Sequence, residues 1–326
     1  MSSSLAVSLA PEAIPVIDIE PLINGSDPAG VAKALHAASQ DLGFIYVRGH
    51  GIADSIIHAA RSQALDFFRR EPADKQSVQI NKRHRGWLAS GGAKMHDDAM
   101  ADLKESFVWG SLSQSARSEE EHPLRGANQW PAGMSDFQKA AAAWFNSAQT
   151  IAMHLMRGFA IGLQLPEGFF LQSTDRPLTR ASMVYYPAQT ARPGQFGVGP
   201  HTDFGVLTIL SQDEVGGLQV RMNNGQWVHA PPIEGTLVVN VADLLSRWTA
   251  GQYVSTPHRV LNESGRERLS LVLAYDPNPE TMIDARQVVG HSVETDAPIS
   301  CGDYLMWRFN KAFNYRQSTS PDHKAD

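Results

Sequence analysis

Two histidines and an aspartate are the residues of this chain best suited to chemistry. His201-Thr202-Asp203 sets an imidazole and a carboxylate two positions apart, and on extended backbone such residues project from one face. His258 follows Asp203 by 55 positions, within Thr256-Pro257-His258-Arg259-Val260. Two imidazoles and one carboxylate on one face of an octahedron leave three positions open, which suits iron(II) and dioxygen chemistry. Zinc favours a closed tetrahedral site or a single open position. An HxD triplet is common by chance, so context must choose between copies. His96-Asp97-Asp98 is a second one, with His154 56 positions after Asp98. His154 falls in an alanine-rich helical stretch and His96 in a polar loop, so the first set is preferred.

Period-2 geometry applies again at Arg268-Leu269-Ser270, where a guanidinium fork and a hydroxyl leave one strand face and can grip a carboxylate together. The same pattern occurs at Arg180-Ala181-Ser182 and Arg316-Gln317-Ser318. Position selects Arg268. It lies ten residues after His258, within reach of one hairpin, whereas Arg180 precedes the whole histidine and aspartate set and Arg316 belongs to a polar tail. Tyr185-Tyr186-Pro187 ends the run before the HxD triplet, and the Tyr186 phenol is the preferred further donor to that carboxylate.

Such side chains need strands to aim them. From Arg180 onward the sequence breaks into short β-type runs separated by Gly, Pro and Asn: Met183 to Tyr186, Val206 to Ser211, Leu218 to Arg221, Leu237 to Val241, Leu269 to Tyr275 and Tyr304 to Trp307. This spacing predicts an antiparallel barrel or jelly roll rather than alternating βαβ units. Upstream, Ile14 to Ile19 and Gly43 to Val47 read as extended, Gly30 to Asp41 and Ala53 to Arg70 as helices, and Met134 to Leu165 as the strongest helix. Asn81 to Gln129, rich in Gly, Ser and charge, reads as irregular structure over a site. The expectation is one catalytic domain over 1–326 of mixed α+β class: a mixed N-terminal region to 130, a long helix over 131–170, and a jelly-roll core over 180–310 that carries the metal site.

Composition narrows the partners. With 42% hydrophobic and 19% charged residues the chain has the make-up of a folded globular protein. A net charge of −6 offers no general attraction to phosphate backbones or anionic lipid, so nucleic acid and membrane are not expected. Cys301 is the only cysteine and cannot form an intrachain disulfide, which fits a reducing cytoplasm where iron(II) survives. Met1 to Ala13 lacks Lys and Arg and reads as a leader rather than a secretion signal. No oligomeric state follows from these features.

The motifs taken together resemble the isopenicillin N synthase-like iron(II)/2-oxoglutarate dioxygenases, a group that includes plant flavonoid and gibberellin oxygenases and bacterial ethylene-forming enzymes. The resemblance covers most of the chain. It rests on Ile14 to Ile19, Gly43 to Ile52, Leu65 to Lys75, Arg85-Gly86-Trp87, Leu103 to Phe107, Gly199 to Gly205, Asn240 to Leu244, Ser255 to Val260 and Arg268 to Ser270. It implies a distorted double-stranded β-helix flanked by helices, Fe(II) on His201, Asp203 and His258, and 2-oxoglutarate with its far carboxylate on Arg268 and Ser270 and with Tyr186 beside them. It further implies O2 as oxidant, release of succinate and CO2, and oxidation of a small organic substrate by hydroxylation, desaturation, cyclisation or ethylene formation. Val184 stands where the common plant pattern has Asn, and Ala242 where it has Gly. Substrate candidates from the N-terminal loop and the C-terminal segment are Arg83, His84, Arg85, Trp87, Phe107, Trp109, Phe309 and Asn310.

Two other readings stand beside this one. A family oxidase would use Fe(II) and O2 without 2-oxoglutarate, with Arg268 and Ser270 on a substrate carboxylate, and a non-catalytic protein of the same fold would only bind. No GxSxG, HExxH, Walker-type GK[ST] or CxxC pattern supports other chemistry.

Overall fold

The computed structural model describes residues 14–92, 102–112, 122–188, 195–290 and 294–317. The leader and the His96-Asp97-Asp98 triplet lie outside these residues. In chain order the strands are β1 (Val16–Asp18), β2 (Phe44–Arg48), β3 (Gly86–Leu88), β4 (Glu105–Gly110), β5 (Arg180–Tyr186), β6 (Val198–His201), β7 (Leu207–Gln212), β8 (Leu218–Arg221), β9 (Trp227–His229), β10 (Leu237–Val241), β11 (His258–Val260), β12 (Arg268–Tyr275), β13 (Met282–Ile283) and β14 (Ile299–Ser300). An eight-stranded sheet runs β1-β2-β10-β7-β12-β5-β4-β3, and a four-stranded sheet runs β6-β11-β8-β9. All pairings in them are antiparallel except β1 with β2.

Alternation along the central strands explains the layers. In β12, Leu269, Leu271 and Leu273 join a core shared with the helices, while Arg268, Ser270, Val272 and Ala274 turn to an internal cavity. Its neighbour β5 repeats the pattern, sending Ala181, Met183 and Tyr185 to the helical side and Arg180, Ser182, Val184 and Tyr186 to the cavity. A second apolar core, including Phe44, Tyr46 and Val238 of the large sheet and Val220, Val228 and Val260 of the small one, joins the two sheets. This is a distorted jelly roll whose two sheets enclose the cavity.

Helix Ser135–Gly162 backs the large sheet and carries Phe137, Ala141, Trp144, Ala148, Ile151, Ala152 and Leu155 inward, the i, i+3, i+4 spacing of a buried helical stripe. Trp144 is fully buried, so truncating it to Ala would cost about 3–5 kcal/mol. Helices Pro28–Asp41 and Asp54–Phe68 pack on either side of it.

Two expectations are corrected. Tyr304 to Trp307 is not a strand but part of helix Cys301–Ala312. The aromatic run favours β structure locally, but the Ser300 hydroxyl accepts the Asp303 N–H as an N-cap, and Cys301, Leu305, Phe309 and Ala312 bury one helical face. Asn81 to Gln129 is not wholly irregular either: β3 and β4 extend the large sheet beside β5. The N-terminal region therefore contributes β1 to β4 to that sheet. Strands β6, β9 and β11 were absent from the sequence reading because runs of three or four residues carry little periodicity.

Candidate active site

β6 and β11 bring the two histidines together. His201 and His258 are direct partners across this antiparallel pair, with ring centroids 4.3 Å apart. Asp203 lies just past the end of β6, and its Oδ1 is 3.8 Å from Nε2 of each histidine. Among the described residues these three form the group whose ligand atoms, all within 4.8 Å of one another, could hold a metal ion.

The other polar atoms of the three residues are already engaged. His201 Nδ1 lies 2.8 Å from the Gly199 carbonyl and His258 Nδ1 lies 3.2 Å from that of Thr256. Each Nδ1 must carry the proton to donate there, which leaves the Nε2 lone pairs free. Asn240 donates to Asp203 Oδ2 at 2.8 Å and leaves Oδ1 open. Burial, helped by the neighbouring His258, pushes His201 down to about 3 and keeps its ring neutral. Burial alone would raise the Asp203 carboxyl, but the adjacent imidazoles and the hydrogen bonds from Asn240 and Thr208 outweigh it and hold the group ionised. Neutral imidazole and ionised carboxylate are the forms a cation requires.

Asp243 braces the loop. Its carboxylate accepts from Thr202 Oγ1 at 3.1 Å, Ser255 Oγ at 2.7 Å, Tyr304 at 3.4 Å and Arg308. Its backbone N–H bonds the Asp203 carbonyl at 2.9 Å. The Asp276 carboxylate takes the Val206 N–H at 3.1 Å and Arg180 Nη1 at 2.6 Å. Gly205 permits this approach, since a Cβ there would stand 2.1 Å from Asp276 Oδ1. Ala242 meets no demand for glycine, because its φ of −108° suits any side chain.

Further along the cavity Arg268 is 1% exposed and Ser270 2%. The guanidinium spends Nε on the Gly216 carbonyl and lies 4.6 Å over the Tyr186 ring. Both terminal nitrogens and the Ser270 hydroxyl are buried without a hydrogen-bond partner. Three unmatched donors at one place would each cost about 1–3 kcal/mol if left so, which marks a seat for an anion. Burial raises the Tyr186 phenol, against the pull of Arg268, so it stays a protonated donor. Val184 pairs with Ser270 in register and offers an apolar wall where a side-chain amide was the pattern.

The cavity, about 190 Å³, continues past these groups to His84, Lys104, Val108, Arg180, Phe204, Phe309 and Phe313. Of the substrate candidates, His84 and Phe309 line it. The others are placed elsewhere. Arg83 donates to the Arg125 carbonyl and Arg85 to the Leu124 and His84 carbonyls. Trp87 donates to Glu105, and Asn310 accepts from Arg316. Phe107 and Trp109 pack with Trp130 in an aromatic cluster. His154 contacts Arg157 on the long helix and is not part of the His201, Asp203 and His258 group. Arg316 also donates to the Lys82 carbonyl. Sequence reasoning missed Asn240, Asp243, Asp276, Lys104 and Arg180 as site residues. Asn240 had a signal, since an amide amid Leu-Val-Val and Val in a buried strand must find a partner.

Comparison with known proteins gives this geometry its context. Residues 180–277 match the model of the 2OG-Fe(II) oxygenase superfamily, and residues 14–133 match that of the non-haem dioxygenase in morphine synthesis N-terminal region. A homoarginine-6-hydroxylase of Oryza sativa subsp. japonica is 32% identical over 298 residues, covering 84% of this chain and 88% of that protein. A 2-oxoglutarate-Fe(II) type oxidoreductase of Metarhizium majus is 34% identical over 286 residues, covering 80% and 76%. A full-length Neurospora crassa protein crystallised with alpha-KG and thymine superposes with a TM-score of 0.83 at 29% identity, covering 94% of this chain and 99% of that one.

Proposed function

Since the chain belongs to the 2OG-Fe(II) oxygenase superfamily and is an Fe(II)- and 2-oxoglutarate-dependent dioxygenase, we propose which residues do the work. His201, Asp203 and His258 hold the iron. Arg268 and Ser270 hold the far carboxylate of 2-oxoglutarate, with the Tyr186 phenol beside them. A small organic substrate takes the end of the cavity lined by His84, Arg180 and Phe309. The observation that carries the assignment is the pair of buried, unpartnered Arg268 nitrogens next to the unpartnered Ser270 hydroxyl, on the strand that faces the histidines.

Iron(II) bound there supplies the dioxygen activation that couples decarboxylation of 2-oxoglutarate, to succinate and CO2, to oxidation of the substrate. The protein's part is placement. The Gly199 and Thr256 carbonyls fix the imidazole tautomers, and Asn240 fixes which Asp203 oxygen is free. Phe44 packs edge-on to His258 with centroids 5.2 Å apart and stops that ring from turning. The hydroxylase activity named for the rice relative supports hydroxylation as the outcome to test first. No helix among the described residues is long and apolar enough to cross a membrane. The single, buried Cys301 supports a reducing, cytoplasmic setting.

The test is spectroscopic. Anaerobic protein with iron(II) should develop a visible metal-to-ligand charge-transfer band when 2-oxoglutarate is added. His258→Ala should lose both stoichiometric iron binding and the band while keeping the parental circular dichroism. A parent that binds iron but gives no band would favour an oxidase that works without 2-oxoglutarate, and a His258→Ala variant that still binds iron stoichiometrically would remove His258 from the ligand set.

A further inference from the structure

The charged groups that line the cavity do not cancel. Among the described residues that line it, Asp203 is the acidic one, against Lys104, Arg180 and Arg268. Arg180 is neutralised by the fully buried Asp276, 2.6 Å away. On the assignment made above, iron(II) and Arg268 together balance Asp203 and the two carboxylates of 2-oxoglutarate. Lys104 is left over. It precedes β4, next to the β5 residues that face the cavity. It lines the cavity together with His84, and its charge adds to the depression that burial imposes on that ring. Of the acids nearest it in the chain, Glu105 pairs with Lys75 at 2.8 Å, which leaves Asp102. That carboxyl is raised by burial and eased back by Lys104, yet it makes no ion pair with the lysine and gives Oδ1 to the Gly199 N–H at 3.0 Å.

Lys104 is half-buried and, among the described residues, pairs with no carboxylate, so its ammonium can take an anion that a ligand brings. Phe204, Phe309 and Phe313, with neutral His84 4.6 Å from the Phe309 ring, give the same cavity apolar walls. We propose that the substrate oxidised here is a small carboxylate with an apolar body, its carboxylate paired with Lys104 and its body packed against Phe309 and Phe313. This rests on the iron and 2-oxoglutarate assignment and adds the class of substrate to it.

Matched acids and amides test it: 3-phenylpropanoate against 3-phenylpropanamide, and hexanoate against hexanamide. Each is titrated into anaerobic enzyme holding iron(II) and saturating 2-oxoglutarate, with the shift of the charge-transfer band as readout, so that Arg268 is already occupied. The parent should bind each acid about tenfold or more tighter than its amide, the equivalent of about 1.4 kcal/mol for one charge-assisted contact. Lys104→Met and Lys104→Gln should bring the two within about twofold, and Lys104→Arg should keep the preference. The 2-oxoglutarate Kd should stay put in all three. A parent that binds no acid, or binds amides equally well, overturns the proposal, as does a preference that survives in both neutral variants. Weakened 2-oxoglutarate binding in Lys104→Met would instead make Lys104 part of the co-substrate seat. Absence of the band in the parent would overturn the underlying assignment, a result distinct from a band that no acid perturbs.

Discussion

At the metal end of the cavity the reactive atoms are aimed by strands and steadied by partners, whereas at the far end side chains arrive from four separate segments. His201 and His258 face each other in register, and Arg268 and Ser270 stand two apart on β12. His84 comes from a tight turn at φ 60°, Lys104 from the lead into β4, Phe204 from the loop after β6, and Phe309 from the C-terminal helix. Sheet hydrogen bonds leave the first set little freedom, which suits a reaction common to many substrates. The second set can change residue by residue without disturbing a ladder, which suits selection among substrates.

That contrast can be broken first at Arg268. Arg268→Ala removes a buried charge-assisted fork, a loss of about 2–5 kcal/mol, so the 2-oxoglutarate Kd should rise roughly 30-fold to several thousand-fold. Arg268→Lys should recover part of this, and Arg316→Ala, outside the cavity lining, should leave the 2-oxoglutarate Kd nearly unaltered. Titration by the charge-transfer band decides; an unchanged Kd in Arg268→Ala would mean that strand geometry aims at something else. Next comes Asn240. Freeing Asp203 Oδ2 in Asn240→Ala should weaken iron binding about 10- to 100-fold, measured by anaerobic competition with a chelator, while the fold survives. Equal affinity would show that the Thr208 hydrogen bond steadies the carboxylate without Asn240.

The smallest effect belongs to the far end. His84 is kept neutral by burial, with Arg180 and Arg85 adding to the depression. Its unfolded form gains a proton near pH 6.5 and the folded form does not, so stability falls as pH drops below about 6.5, by at most about 1.4 kcal/mol per unit for this group. Asn tolerates the positive φ, so His84→Asn should flatten the loss of Tm between pH 7 and 5 without moving the 2-oxoglutarate Kd. An unaltered pH slope would assign the acid sensitivity to other buried histidines such as His50 and His122.

How much the sequence could tell follows the same division. His201 with Asp203, and Arg268 with Ser270, were readable because a period of two on extended backbone makes i and i+2 neighbours in space, and His258 from its place in the stretch Ser255 to Val260. The central strands and the long helix were readable from periodicity over five or more residues. β6 and β11 were not, being too short, although they carry the two histidines into contact. Tyr304 to Trp307 misled because its aromatics suit a strand, while the Ser300 cap that starts the helix lies four residues earlier. Lys104 and Arg180 reach the cavity through the pairing of β4 with β5, and no local pattern in either segment encodes that.

Asp243 gives the C-terminal helix a role beyond covering the barrel. With Arg308 and Tyr304 on the same carboxylate that holds Thr202 and Ser255, helix Cys301–Ala312 and the metal loop share one keystone. Anyone recutting the pocket by exchanging that helix for a relative's would have to transplant Arg308 and Tyr304 with it, or retune the loop between His201 and Asp203. Phe309 on that helix can be changed by itself, but Tyr304 and Arg308 of the same helix belong to the frame that holds the metal loop.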